Sequence, residues 1–307
     1  MRRRGSRLIK GLSGFVSTWK TDNISTGSSA SNQVQLPLES TGTYNFSVDW
    51  GDGSSNEITT YNQAEIIHTY SEAGTFIIKI NGTINGFNFN NTKDKLKLLS
   101  VQKWGLLKLG GSTYNFFGCS NLDLSTVSDV LDTSNKVTFL GCFRGCSALT
   151  TINRINEWNF NNAITISQMF WGATLFNQSL NWSTPNLNNT ASMFYAASTF
   201  NSPMSITTNN VTTMAGMFQN TFAFNQDISH WNFSSCTSLS VFMSGKTSAN
   251  YSAANYDSLL ISLSNQTLQP NVSPNFGTIK YTSTATSAKS ILTSSPNNWV
   301  ISDGGLI

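Results

Sequence analysis

Four stretches of this chain align without gaps: CFRGCSAL from Cys142, MFWGATLF from Met169, MFYAASTF from Met193 and MFQNTFAF from Met217. Their second position is always Phe (Phe143, Phe170, Phe194, Phe218). A compact residue follows two places later (Gly145, Gly172, Ala196, Asn220), and another large apolar residue six places later (Leu149, Phe176, Phe200, Phe224). FFGCSNL from Phe116 is a weaker early copy, and a last copy fades at Phe242, so successive key Phe residues lie 27, 27, 24, 24 and 24 positions apart. A fixed period in the twenties is the mark of stacked repeats. A unit that short cannot enclose a core, so it must bury its apolar face against its neighbours.

The spacing also predicts what each unit contains. Val211, Met214, Met217 and Phe218 fall at offsets 0, 3, 6 and 7, one face of a short helix. FNQDIS from Phe224 sets Phe224, Gln226 and Ile228 against Asn225 and Asp227, which suits a strand. Strands stacked at roughly 4.8 Å would give about 25–30 Å of parallel sheet for six rungs. The repeated Phe column should dominate stability, at about 1.5–3 kcal/mol per buried side chain.

The stretches Met169–Trp182 (MF.GA..FNQ…W) and Met217–Trp231 (MF…FAFNQDISHW) resemble BspA-type leucine-rich repeats, once labelled mycoplasma lipoprotein repeats. That resemblance implies a solenoid from a protein displayed on a bacterial, viral or phage surface. The rung from Met193 departs from the pattern, with Ser202 and Pro203 after Asn201 and Ile206 in place of the Trp, so its strand is expected to be irregular. Upstream, residues 15–85 read as all-β, with runs at Phe15–Trp19, Val34–Leu38, Tyr44–Trp50 and Thr75–Ile80. VDWGDGS (Val48–Ser54) followed by HTYSEAGTF (His68–Phe76) resembles the PKD domain, an Ig-like β-sandwich, and implies a tyrosine-corner role for Tyr70. Asp49, Asp52 and His68 are read as turn and motif residues rather than as a metal or catalytic set.

The expected fold is therefore mainly β with short helices. It comprises a basic arm (1–14), a PKD-like β-sandwich (15–85), a BspA-type solenoid (86–247) and a capping segment (248–307). Lys95–Gly105 should supply the strand of a degenerate first rung and a fixed junction to the sandwich. Two helices, Asn255–Asn265 and Thr286–Ser294, followed by a short strand at Asn298–Gly305, should cover the terminal rung.

Only 11% of residues are charged while 39% are hydrophobic, a neutral, amide- and hydroxyl-rich composition that suits an extracellular or virion protein. A net charge of +3 gives no argument for nucleic acid. No apolar stretch is long enough for a membrane span. The N-terminus lacks the apolar core of a secretory signal, and the first Cys, Cys119, comes too late for a lipoprotein. Cys119 and Cys146 share a repeat position and should stack as buried thiols, or be bridged if their geometry allows; Cys142 and Cys146 have no His nearby to complete a metal site.

Two His (His68, His230), no nucleophile motif and no phosphate or dinucleotide loop argue against an enzyme, and no cofactor is expected. Candidate contacts are Trp158, Trp182 and Trp231, which recur near rung ends and read either as core or as a platform for sugar rings or a partner protein. Beside them Asn177, Gln178, Asn225 and Gln226 read as hydrogen-bonders of sugar hydroxyls or as a buried Asn ladder. Arg2, Arg3, Arg4, Arg7 and Lys10 form a candidate docking arm toward other virion structural proteins. The leading expectation is a non-enzymatic virion component (head decoration, fibre or tail protein) able to touch a host-surface glycan or protein, with homo-oligomers compatible. The alternatives are a bacterial cell-surface adhesin and a fragment of a carbohydrate-active enzyme.

Overall fold

The computed structural model describes residues 14–307. The docking-arm residues Arg2, Arg3, Arg4, Arg7 and Lys10 lie outside that range. The described part is mainly β, with antiparallel sheets, two short helices and no closed barrel.

The first strands form where β-branched and aromatic residues alternate with polar ones. They are β1 (Phe15–Lys20), β2 (Gln33–Gln35), β3 (Thr43–Asp49), β4 (Ser55–Ile58), β5 (Ile67–Thr69) and β6 (Thr75–Asn85). In β3 the alternation buries Tyr44, Phe46 and Val48. The main sheet runs β4-β3-β6-β1, all antiparallel, and β2 pairs with β5 in a second small sheet. Tyr70 is buried against Phe76, and its hydroxyl donates to the Trp50 carbonyl at 2.9 Å, the backbone bond expected of it. Asp49 and Asp52 accept turn amides from Gly51 and Ser54, each at 2.9 Å.

The main sheet does not end at residue 85. β7 (Leu98–Lys103), read from sequence as part of a first rung, pairs antiparallel with β1, and β8 (Leu107–Lys108) runs parallel to the end of β6. A parallel bridge from Ser100 to Asp123 joins β7 to the repeats as well. A buried ion pair fixes the same junction. Asp94 accepts from Ser29 and from the Gln35 amide at 2.6–2.7 Å, and Lys97 Nζ donates to the carbonyls of Ser29, Ala30 and Gln33 at 2.8–3.0 Å.

In the repeats, Phe116, Phe143, Phe170, Phe194 and Phe218 are fully buried, with ring centroids 5.4–5.9 Å apart and rings within about 11° of parallel. Phe176, Phe200 and Phe224 form a second column at 6.2 and 6.0 Å. Thr138, Thr165, Asn189, Thr213 and Ser238 are joined in turn by parallel bridges.

The segment expected to be helical is instead a chain of turns. Met214, Gly216, Phe218 and Asn220 donate to the next unit, at Ser238, Ser240, Phe242 and Ser244, while Met217, Gln219 and Thr221 donate three residues back. Two residues per unit are left-handed, such as Ser192 (φ 55) and Ala196 (φ 57), or Gly216 (φ 62) and Asn220 (φ 57), and they break the helical path. Bonds spaced three apart keep nearly the helical spacing, so Val211, Met214, Met217 and Phe218 are buried as one face after all.

The same bonding fixes the register. The amide of each column Phe donates to the residue just before the next column residue: Phe170 to Met193, Phe194 to Met217, Phe218 to Phe242. The next column residue is therefore Met243, not Phe242. By the same rule Phe89 precedes Phe116, since its amide donates to Asn115, and Phe276 follows Met243, whose amide donates to Asn275.

Strands also differ from expectation. β9 (Leu180–Trp182) and β10 (Met204–Ile206) pair in parallel, so the rung expected to be irregular is regular. FNQDIS from Phe224 forms no strand. There Asp227 accepts the Ser229 amide at 2.8 Å and turns the chain away before it can pair with β10.

Beyond Met243, α1 (Ala253–Ser264) and α2 (Thr286–Thr293) form where predicted. Ser252 caps α1 by accepting from the Asn255 amide, and Tyr256, Leu259, Leu260 and Leu263 are buried beneath it. Asn298–Gly305 makes an isolated bridge, Ser302 to Asn275, rather than a strand.

Candidate functional site

Trp158, Trp182 and Trp231 are core residues, only 4%, 4% and 2% exposed. Trp182 packs on Phe160 with centroids 4.2 Å apart, Trp158 lies edge-on to Trp104, and Trp231 stacks beside Phe218. None has a ring face free for a sugar, which corrects the platform expectation: the position near each rung end points inward, where a large ring fills the space between the Phe columns. Their indole N–H groups have no acceptor among the described residues, so packing alone holds them.

The amide residues do form a ladder, but an exposed one. Asn177 Oδ1 accepts the Asn201 amide at 2.9 Å, Asn201 Oδ1 accepts the Asn225 amide at 2.7 Å, and Asn225 Oδ1 accepts the Ser252 amide at 2.9 Å. Gln178 bonds both backbone groups of Ile152, and Gln226 Nε2 donates to the Asn201 carbonyl. These side chains are spent on neighbouring rungs, and their work is structural. Cys119 and Cys146 are free and buried, the Cys146 thiol donating to the Phe116 carbonyl at 3.1 Å. Burial pushes both thiols well above the usual range.

A surface that the sequence reading missed lies one residue after Phe116, Phe143, Phe170, Phe194 and Phe218. That residue faces outward, and down the stack the position reads Phe117, Arg144, Trp171, Tyr195 and Gln219, all half-buried. The Arg144 guanidinium sits 4.9 Å from the Phe117 ring centre and 4.1 Å from that of Trp171, and Trp171 meets Tyr195 at 4.3 Å. Arg144 Nη1 donates to Gln168 Oε1 at 2.5 Å, the same oxygen that the Tyr114 hydroxyl approaches at 3.4 Å. Tyr114 is left-handed (φ 61), and its ring lies where a side chain at Gly141 would project. The result is a continuous ridge of Tyr114, Phe117, Arg144, Trp171 and Tyr195. Cation–π contacts of this kind contribute about 0.5–2 kcal/mol each. Exposed core-type residues are not required for folding, and Trp, Tyr and Arg are the types that carry binding energy at interfaces.

Residues 83–207 and 204–267 match the family model described as "Mycoplasma protein of unknown function, DUF285". Together the matches span 83–267, more than half of the chain. The chain belongs to this DUF285 family. The matched region begins at the end of β6 and contains the whole ridge. No curated protein and no solved structure matches the chain.

Elsewhere, His68 Nε2 lies 2.7 Å from Asp52 and 3.4 Å from Ser54, a grouping that invites comparison with a hydrolase triad. Ser54 Oγ, however, donates to Asp52 at 2.6 Å, and one imidazole nitrogen faces both partners. A relay needs the acid and the nucleophile on opposite ring nitrogens. Among the described residues no cluster of His, Cys, Asp and Glu could hold a metal ion, and no helix is long and apolar enough to cross a membrane.

Proposed function

We propose that this DUF285 protein is a non-enzymatic recognition protein displayed on a surface, and that the ridge Phe117–Arg144–Trp171–Tyr195 is its contact face. In this reading the repeats form a leucine-rich-repeat-type solenoid, residues 15–85 a PKD-like sandwich that presents it, and residues 248–307 its cap. The ridge carries the reading. It keeps large aromatic rings and a guanidinium half in water on a chain that is otherwise poor in charge.

The display surface follows the sequence expectation of a virion, with the bacterial cell surface as the second reading. The DUF285 match supports the second, because its description places that family in Mycoplasma. Mass spectrometry of purified virions and of cell envelopes from the source culture decides between them by where the chain is recovered. For recognition itself, the labelled protein should bind intact envelopes and W171A should not. Equal retention of both proteins would refute the assignment of the contact face.

A further inference from the structure

Arg144 is the one cation of the ridge, and among the described residues no carboxylate pairs with it. The ion pairs among the described residues join Lys20 to Asp22, Lys97 to Asp94, Lys108 to Asp132, Arg154 to Glu157 and Lys289 to Asp303, and Asp52 is hydrogen-bonded to the His68 imidazole. Residues 1–13 contain no Asp or Glu that could serve. Yet Arg144 is not a loose surface side chain. Two rings and the Gln168 carbonyl hold its guanidinium in place, so little rotamer freedom remains to be lost on binding. A half-buried, pre-positioned, unpaired guanidinium is a receptor for a carboxylate, which its fork of donors can meet with two parallel bonds.

The surroundings narrow the class. The other outward residues of the column, Phe117, Trp171, Tyr195 and Gln219, are uncharged, so Arg144 is the one charged group in the row; Lys95, beside its Phe117 end at Gly118, already donates to Asn91. A strongly acidic peptide would leave most of its carboxylates unmatched. Hydroxyl and amide groups lie beside the cation at Tyr114 and Gln168, and a further hydroxyl lies beyond Trp171 at Tyr195, partners suited to sugar hydroxyls. Beside the ridge the position after the outward residue is small. Side-chain carbons added at Gly145 or Gly172 would meet no atom closer than 3.8 Å, which leaves a shallow open floor.

We propose that the ridge binds a glycan carrying one carboxylated sugar, with the acid on Arg144 and the sugar's C–H groups against the outward edges of the Trp171 and Tyr195 rings, whose facing sides are taken up by the stack. This rests on the recognition reading above and names its ligand class.

The full chain is titrated by calorimetry with sialyllactose, with a glucuronic-acid-terminated oligosaccharide, with lactose and with a Glu-rich peptide. Either acidic glycan should bind at least tenfold more tightly than lactose. R144Q should remove that preference, and R144K should restore part of it, a point charge replacing the fork. Equal binding of lactose, failure of both acidic glycans to bind, or tighter binding of the peptide overturns the proposal. Envelope binding by W171A and R144Q separates the two levels. If envelopes need the ridge but acidic glycans do not bind, the ligand class is wrong and recognition stands; if neither variant affects envelope binding, both fall.

Discussion

Phe194 is the side chain on which the stacking argument can be tested most severely. It is fully buried and touches three other rings: Phe170 at 5.7 Å, Phe218 at 5.9 Å and Phe200 at 3.8 Å, each within about 10° of parallel. Phe→Ala in a core costs about 3–5 kcal/mol, and the larger values belong to sites that cannot collapse. This site cannot. The Phe194 amide is bonded to Met217 at 3.0 Å and the Phe170 amide to Met193 at 2.9 Å, so the rungs on either side stay at their spacing and the cavity remains. Aromatic pairing adds about 0.5–1.5 kcal/mol per lost contact, which places F194A near the top of that range, at about 4–5 kcal/mol. Urea unfolding followed by circular dichroism reads this as a large fall in midpoint. The neighbouring Y195A, which empties no core space, should cost about 1 kcal/mol. If F194A costs under about 1 kcal/mol, or no more than Y195A, the aromatic column is not what holds the repeats together.

Three further outcomes follow from buried or hydrogen-bonded charges. Lys246 is fully buried and its Nζ donates to the carbonyls of Thr221, Phe222, Phe224 and Asn250 at 2.5–3.1 Å, so K246M should lower stability by about 2–4 kcal/mol through the acceptors it strands; a change within about 0.5 kcal/mol in the same urea assay contradicts this. D94N strands the buried Lys97 charge and should cost about 3–5 kcal/mol, whereas a near-neutral result would show that the junction is held by other contacts. Partial burial pushes the Asp52 carboxyl up, but hydrogen bonds from Ser54 and the His68 imidazole outweigh it and hold the group at about 2. Because the folded value lies below the unfolded one, Asp52 contributes stability above about pH 4 that is lost as pH falls towards 2; D52N should flatten that part of an acid titration, and an unchanged slope would refute the assignment.

The repeat was legible because one position recurs as Phe against a changing background, and the β-strands of residues 15–85 because their alternation is local. Other features were hidden for physical reasons. Phe89 belongs to the first column but sits in FNFNN, without the Met-Phe pair that marks later copies. Met243 and Phe242 are both large and apolar, so only the backbone bonding of Phe218 tells which occupies the column. The pairing of β7 with β1 joins segments about eighty residues apart, and nothing local encodes it. The helical spacing of Val211–Phe218 predicted burial correctly and conformation wrongly, since turns closed three residues back nearly share the helical period.

The candidate site was missed for a different reason. Recurrence in a stacked fold is the signature of packing: the Trp residues that recur near rung ends do so because the same internal space must be filled in each. A recognition surface has the opposite statistics. The position after Phe116, Phe143, Phe170, Phe194 and Phe218 reads Phe, Arg, Trp, Tyr and Gln, variable because no closed core space fixes its identity. What singles it out is residue type, since three of its five members are rings at a position half open to water. In a fold that converts repetition into core, the outward position that varies yet stays aromatic is the one to test for binding.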